Sequence, residues 1–237
     1  MKLSSVLGLR RMRIRNRIVT LGVIVTGMLS AALAIVTFYG QEAGNFVISV
    51  DSAAKVRGIH ISETEDFEQE LSRLMSDPID EARDVTYSWL KIEEVEATNG
   101  NYRDIDHDYV AYTFYVMNKG SETVDLTYYI RITDVYNNLD KAIRVLVIED
   151  GVEKMFMKPD QILEGQEEPY YPDSMPEPNY FLTSNMVMRH TIEKYKPGQL
   201  KKFSIIIWLE GYDPDTTDDI YGGMIKMTMN FTINQKN

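Results

Sequence analysis

The chain has 237 residues, 44% of them hydrophobic and 26% charged, with 25 Lys+Arg, 36 Asp+Glu and no cysteine. That composition excludes a disulfide framework, a thiol nucleophile and a Cys-based zinc site, and three scattered histidines (His60, His107 and His190) leave little for a His-rich metal centre. The length suits one large domain or two small ones, and such a chain buries a core large enough to need no staples.

All six charges in residues 1–39 are basic (Lys2, Arg10, Arg11, Arg13, Arg15 and Arg17), which leaves 19 Lys+Arg against 36 Asp+Glu in the remainder. A basic head thus precedes a body of about −17. Such a body repels nucleic acid and favours solubility, but it selects no partner by itself. From Ile18 to Tyr39 the chain runs 22 residues without a charge. As a helix this stretch spans roughly 33 Å, enough for the ~30 Å hydrocarbon core of a bilayer. The arginines before it, with no basic cluster after it, hold that end in the cytoplasm.

The segmentation is therefore a basic cytoplasmic stretch at 1–17, a transmembrane anchor or signal segment at 18–39, and one extracellular domain at 40–237. Ala32-Leu33-Ala34 has the small-x-small form of a signal-peptidase site, so a second reading has the chain cleaved after Ala34 and secreted. The apolar run continues through Ile35, Val36, Phe38 and Tyr39, which favours the uncleaved anchor. Both readings export the domain, and the lack of cysteine suits an exported protein of a Gram-positive bacterium.

In the exported region, Phe46, Ile48 and Val50 alternate with Val47 and Ser49, the period of a strand. Phe67, Leu71, Leu74 and Met75 then fall at the spacing of a short helix, and Asp77-Pro78, followed by Asp80 and Glu81, predicts a second helical start. From Tyr109 the strand period returns. Val110, Tyr112, Phe114 and Val116 face one way, and Val124, Leu126, Tyr128, Ile130 and Ile132 do so in the next strand; the turn Asn118-Lys-Gly120-Ser predicts a hairpin or neighbouring strands. Ile143–Ile148 and Val152–Met157 flank Asp150-Gly151, a hairpin signal.

Residues 159–178 hold five of the eight prolines, six acids and no base, a composition that predicts a long surface loop. Lys196-Pro-Gly198 turns the chain into Phe203–Leu209, apolar enough for a central strand. Gly222-Gly223 opens a last strand with Ile225, Met227, Met229, Phe231 and Ile233 inward. The sum is about seven antiparallel strands and a small helical element, which predicts a mainly β fold, an antiparallel β-sandwich of jelly-roll type.

The order of these segments carries a resemblance. A Gly44-Asn-Phe46-Val-Ile strand, a strand ending in Val116-Met-Asn118-Lys-Gly120-Ser121, the Lys196-Pro-Gly198 turn and the final Gly222-Gly-Met-Ile-Lys-Met-Thr-Met-Asn-Phe231 follow one another. In this the chain resembles the TasA and camelysin group of exported biofilm-matrix proteins of Gram-positive bacteria, and uncharacterised membrane-anchored proteins of the same bacteria. The resemblance covers most of residues 35–235 and implies a jelly-roll domain whose relatives form fibres by lending an N-terminal strand to the next subunit. The strand residues so implicated are Ile35, Val36, Phe38, Phe46, Ile48 and Val50, and the implied partner is a second copy of the chain. Ile206–Asp215 has no counterpart in TasA, and an uncleaved anchor would forbid free fibres.

Asp213, Asp215, Asp218 and Asp219 put four carboxylates in seven residues, the ligand type of Ca²⁺, although the EF-hand glycine and distal glutamate are missing. The plain alternative is a solvated acidic turn. Asp104-Ile-Asp106-His107-Asp108 is similar, and the two loops would share an ion only if they met at one end of the fold. His190-Thr-Ile-Glu193 lacks the second histidine of a zincin, and there is neither Gly-x-Ser-x-Gly nor a phosphate-cradling glycine loop. Tyr170-Tyr171 with Tyr212 offers an aromatic platform for a glycan or a protein. The function expected is non-enzymatic and cofactor-free apart from the Ca²⁺ option. It is a membrane-anchored or secreted surface protein with a structural, matrix-assembly role, or alternatively a tethered recognition domain for a glycan or surface protein.

Overall fold

The computed structural model describes residues 19–31, 46–161, 171–172 and 174–233, and the chain divides into two units, Met1–Ala43 and Gly44–Asn237. In the first, residues 19–31 form helix α1, where the Thr26 hydroxyl donates to the Gly22 carbonyl at 2.8 Å. No helix among the described residues is long and apolar enough to cross a membrane. Residue 18 and residues 32–39 of the expected span lie outside the described residues.

The second unit is mainly β. In chain order its strands are β1 (Phe46–Val50), β2 (Ile59–Ser62), β3 (Arg73–Met75), β4 (Gly100–Tyr102), β5 (Val110–Asn118) and β6 (Val124–Tyr136). After them come β7 (Ile143–Glu149), β8 (Val152–Met157), β9 (Pro178–Tyr180), β10 (Met186–Tyr195), β11 (Leu200–Leu209) and β12 (Met224–Ile233). Two short helices, α2 (Ser52–Val56) and α3 (Ile92–Ala97), complete it. One sheet has five strands in the order β10-β6-β12-β1-β3, and the other has seven, β2-β5-β11-β7-β8-β9 with β4 also on β5. All pairings are antiparallel except β1 with β12 and β8 with β9.

The alternation read in the sequence places the core. Phe114 and Phe203 of the seven-stranded sheet meet Tyr128 and Phe231 of the five-stranded one, with ring centroids 5.1–6.0 Å apart. The inward residues of both sheets join one cluster. A second cluster lies on the other face of the seven-stranded sheet, where Val85, Tyr87, Leu90 and Val95 cover Leu146, Ile148, Ile206 and Trp208. That cover explains why Phe203–Leu209 is apolar without alternation: β11 lies between β5 and β7 and is buried on both faces.

Four expectations are corrected. Phe67, Leu71, Leu74 and Met75 are not on a helix. Phe67 sits at φ 55 in a turn whose Asp66 side chain takes the Thr64 hydroxyl and the Glu68 N–H, a local alternative to helical bonds; Leu74 then pairs with Ile48 in β3. No helix starts at Asp77-Pro78, where residues 77–84 run without a helical turn and the Asp77 N–H donates to the Asn101 side chain at 2.8 Å; the helical pieces among the described residues of this unit are α2, α3 and short 3₁₀ turns. The strands at 110–118 and 124–136 are not neighbours but belong to opposite sheets, each burying its face in the shared core from its own side. There are twelve strands among the described residues rather than about seven, the extra ones being mostly three or four residues long, too short to show a period.

The register gives the unit two different ends. Phe46 pairs with Met227, Met224 with Tyr136, Leu209 with Ile143 and Ile207 with Val110, so the start of β1, the stretches 76–84 and 103–109 and the connections 137–142, 158–161 and 210–223 lie at one end, while 85–97 runs over the face of the seven-stranded sheet. The other end carries α2 and the short turns at 119–123, 150–151 and 196–199.

Candidate functional site

The long-loop end gathers most of the unusual side chains. Arg144 follows Ile143 on β7 and points to the second cluster's face, opposite Trp208 in the ladder. It is fully buried, which an arginine tolerates only when its charge is matched. One Nη donates to Asp160 Oδ1 at 3.2 Å and to the Tyr171 hydroxyl at 3.1 Å, and that hydroxyl donates to Asp160 Oδ2 at 2.5 Å. The other Nη lies 2.5 Å from Asp213 Oδ2, off the hydrogen-bond axis, as an ion pair. Burial pushes the Asp213 carboxyl up to about 6 against the opposing pull of Arg144.

Further ties hold the same corner. The Asp215 N–H donates to Asp213 Oδ1 at 2.7 Å, and Asp215 Oδ2 accepts the Gln161 N–H at 3.1 Å. Glu210, also fully buried, accepts from Trp208 Nε1 at 3.0 Å. Lys158 pairs with Asp140. The arrangement is a clasp that pins the roots of the proline-rich segment, Asp160 and Tyr171, to the acidic turn. Beside it a cavity of about 180 Å³ is lined by Lys141, Gln161, Asp215 and Asp219 among others.

The four carboxylates of the acidic turn are therefore not equivalent. Asp213 and Asp215 are taken up by protein donors, whereas Asp218 and Asp219 are exposed on the 3₁₀ turn Asp218–Ile220. The loop Asp104–Asp108 lies at the same end, but no group of three or more His, Cys, Asp or Glu placed to hold a metal ion is found among the described residues. Asp104 is held below the usual carboxylate range. Its burial acts upward, and the Asp106 N–H (2.8 Å) and the Tyr109 hydroxyl (3.0 Å) override it. Beside it lies a cleft of about 300 Å³ lined by Asp77, Asp80, Glu81, Tyr102, Arg103 and His107 among others, with Trp89 stacked on His107 at 5.0 Å.

Of the strand residues singled out, Phe46 and Ile48 are fully buried and Val50 half-buried in β1, which is slotted between β12 and β3 of its own chain. Ile35, Val36 and Phe38 lie outside the described residues. Tyr171 of the expected aromatic platform is turned into the clasp, Tyr212 is exposed, and Tyr170 lies outside the described residues. The sequence reading missed Arg144 and Glu210. The signal for the first was a lone charge inside the apolar run Ile143-Arg-Val-Leu-Val-Ile148, which a strand buried on both faces accepts only with a partner. No family model matches this chain, and no curated protein matches it in sequence.

Proposed function

We propose that the protein is a non-enzymatic cell-surface protein whose exported domain is a jelly-roll-like β-sandwich with a structural, assembly role. Its N-terminal segment tethers it to the membrane, or is cleaved to release it. In this reading the two sheets are the halves of the sandwich, and the chain is kin to the TasA and camelysin group that its segment order resembles.

The observation that carries the assembly role is the placement of β1. This five-residue strand is the first among the described residues of the domain, yet it fills a slot inside a sheet, parallel to β12 and antiparallel to the edge strand β3. Its slot can be filled by the same chain or by the β1 of a neighbour with the same hydrogen bonds and the same buried Phe46 and Ile48. Strand addition of this kind makes oligomers without any new interface chemistry.

The absence of native cysteine gives a direct test. Ser49 and Asn230 are register partners, with Ser49 Oγ 2.7 Å from Asn230 Oδ1. The double variant Ser49→Cys/Asn230→Cys, oxidised in its native membrane, should yield a ladder of covalently linked chains on a denaturing gel if β1 is exchanged. A monomer band alone, carrying an internal disulfide, would refute exchange.

A further inference from the structure

Exchange of β1 needs slack on the C-terminal side of the strand, where it stays joined to its own domain. Asp51 carries the ladder one residue past β1, its N–H donating to the Phe231 carbonyl at 2.9 Å. The next residue locked into the core beyond α2 is Ile59 of β2, fully buried and paired with Asn118. Whatever gives between them lies in α2 or in the Arg57-Gly58 junction that follows it.

The junction is clamped. The Gly58 carbonyl accepts the Lys119 N–H at 2.7 Å, and a Cβ on Gly58 would sit 2.2 Å from the Gly120 nitrogen. Helix α2 is held far less. Its five residues are too few for a helix to persist on its own, and its one fully buried side chain is Ala54. The Asp51 carboxylate caps it, Oδ1 accepting the Ala54 N–H at 2.7 Å. At the other end Val56, a β-branched residue that favours extended backbone, is 88% exposed. Besides its backbone bonds, the wound form thus rests on one small buried side chain and one cap.

We infer that α2 is the latch of strand exchange: wound, it keeps β1 in the slot of its own chain, and unwound, it lets β1 reach the slot of a second copy. The inference rests on the exchange proposed above and names the segment that governs it. Five residues span about 7.5 Å as a helix and about 16 Å as extended chain, so unwinding lengthens the tether by about 9 Å with Gly58 left in its clamp. Were α2 instead to travel with β1 as a wound helix, Gly58 would have to swing out of its contact with Gly120. The Asp51 cap would then be the same in both forms, and its loss would not shift the exchange.

The test uses the full-length Ser49→Cys/Asn230→Cys chain in its native membrane, equilibrated before oxidation, and reads the ratio of linked ladder to internally bridged monomer. Asp51→Ala removes the cap from the wound form alone and should raise that ratio about fivefold. Asp51→Ser restores a capping oxygen without the charge and should return the ratio to that of the parent chain. Val56→Ala favours the wound form and should lower it about threefold. Both positions are exposed, so the variants leave the core intact. A ladder of equal strength in all four chains overturns the latch and leaves exchange standing. A ratio raised by Asp51→Ser as much as by Asp51→Ala assigns the effect to the lost charge and overturns the latch as well. Internally bridged monomer alone in every chain refutes exchange itself, and the latch with it.

Discussion

Asp213 shows how one buried pair sets a pH dependence opposite in sign to that of most carboxylates. Its ordinary value is 3.8 and burial lifts it to about 6 in the fold. The folded chain therefore holds this proton more tightly than the unfolded one, and the protonated group's contribution, on the order of 3 kcal/mol, is fully present below about pH 4 and lost as pH rises through about 6. Other carboxyls act the other way, Asp104 among them, so the effect is visible only as a difference. Unfolding of the native chain and of Asp213→Asn by denaturant across pH 4 to 7 should give curves whose separation changes over that window; parallel curves would show that Asp213 does not titrate there. At pH 7 the variant should also be destabilised, because Arg144 is left with Asp160 as its only carboxylate partner among the described residues. The acids of this turn were legible as a cluster, but their division into two fastened and two free was not. It depends on Arg144 and Gln161, which are distant in sequence and arrive only with the fold.

At the scale of the element, strands with a clean alternation were readable and strands with none were ambiguous. β6 and β12 bury every second residue for most of their length, and a period of two was enough to place them. What alternation cannot say is which sheet a strand joins, so β5 and β6, close in sequence, were expected side by side and lie in opposite sheets. β11 shows the other limit. Ile205 faces the core shared by the sheets and Ile206 the second cluster, and both are fully buried. Ile205→Ala and Ile206→Ala should therefore each cost about 2–5 kcal/mol in chemical denaturation. A cost near zero for Ile206→Ala would mean that residues 85–97 do not cover that face in solution. The short strands β3, β4 and β9 and the turn around Phe67 escaped because their conformation is set by partners or by local side-chain bonds rather than by any repeat.

For the whole molecule, the order of charge matters more than its total. A head that is wholly basic before an uncharged stretch of 22 residues supports the proposed export with the N-terminus retained inside. The small-x-small site ending at Ala34 offers the alternative of release. Its weakness is positional, since Ile35, Val36, Phe38 and Tyr39 prolong the apolar run beyond the length that a cleaved segment needs, and cutting there would leave an apolar terminus in water. The chain recovered from its native cells should therefore show the full-length intact mass in the membrane fraction. A mass beginning at Ile35 in the medium would reverse this. It would free β1 of its tether, turn strand exchange from pairing among anchored neighbours into growth of a soluble fibre, and predict filaments in electron micrographs of the secreted material. A full-length membrane species that still gives the Ser49–Asn230 ladder would confine assembly to the cell surface, where a shared bilayer raises the effective concentration of neighbouring strands.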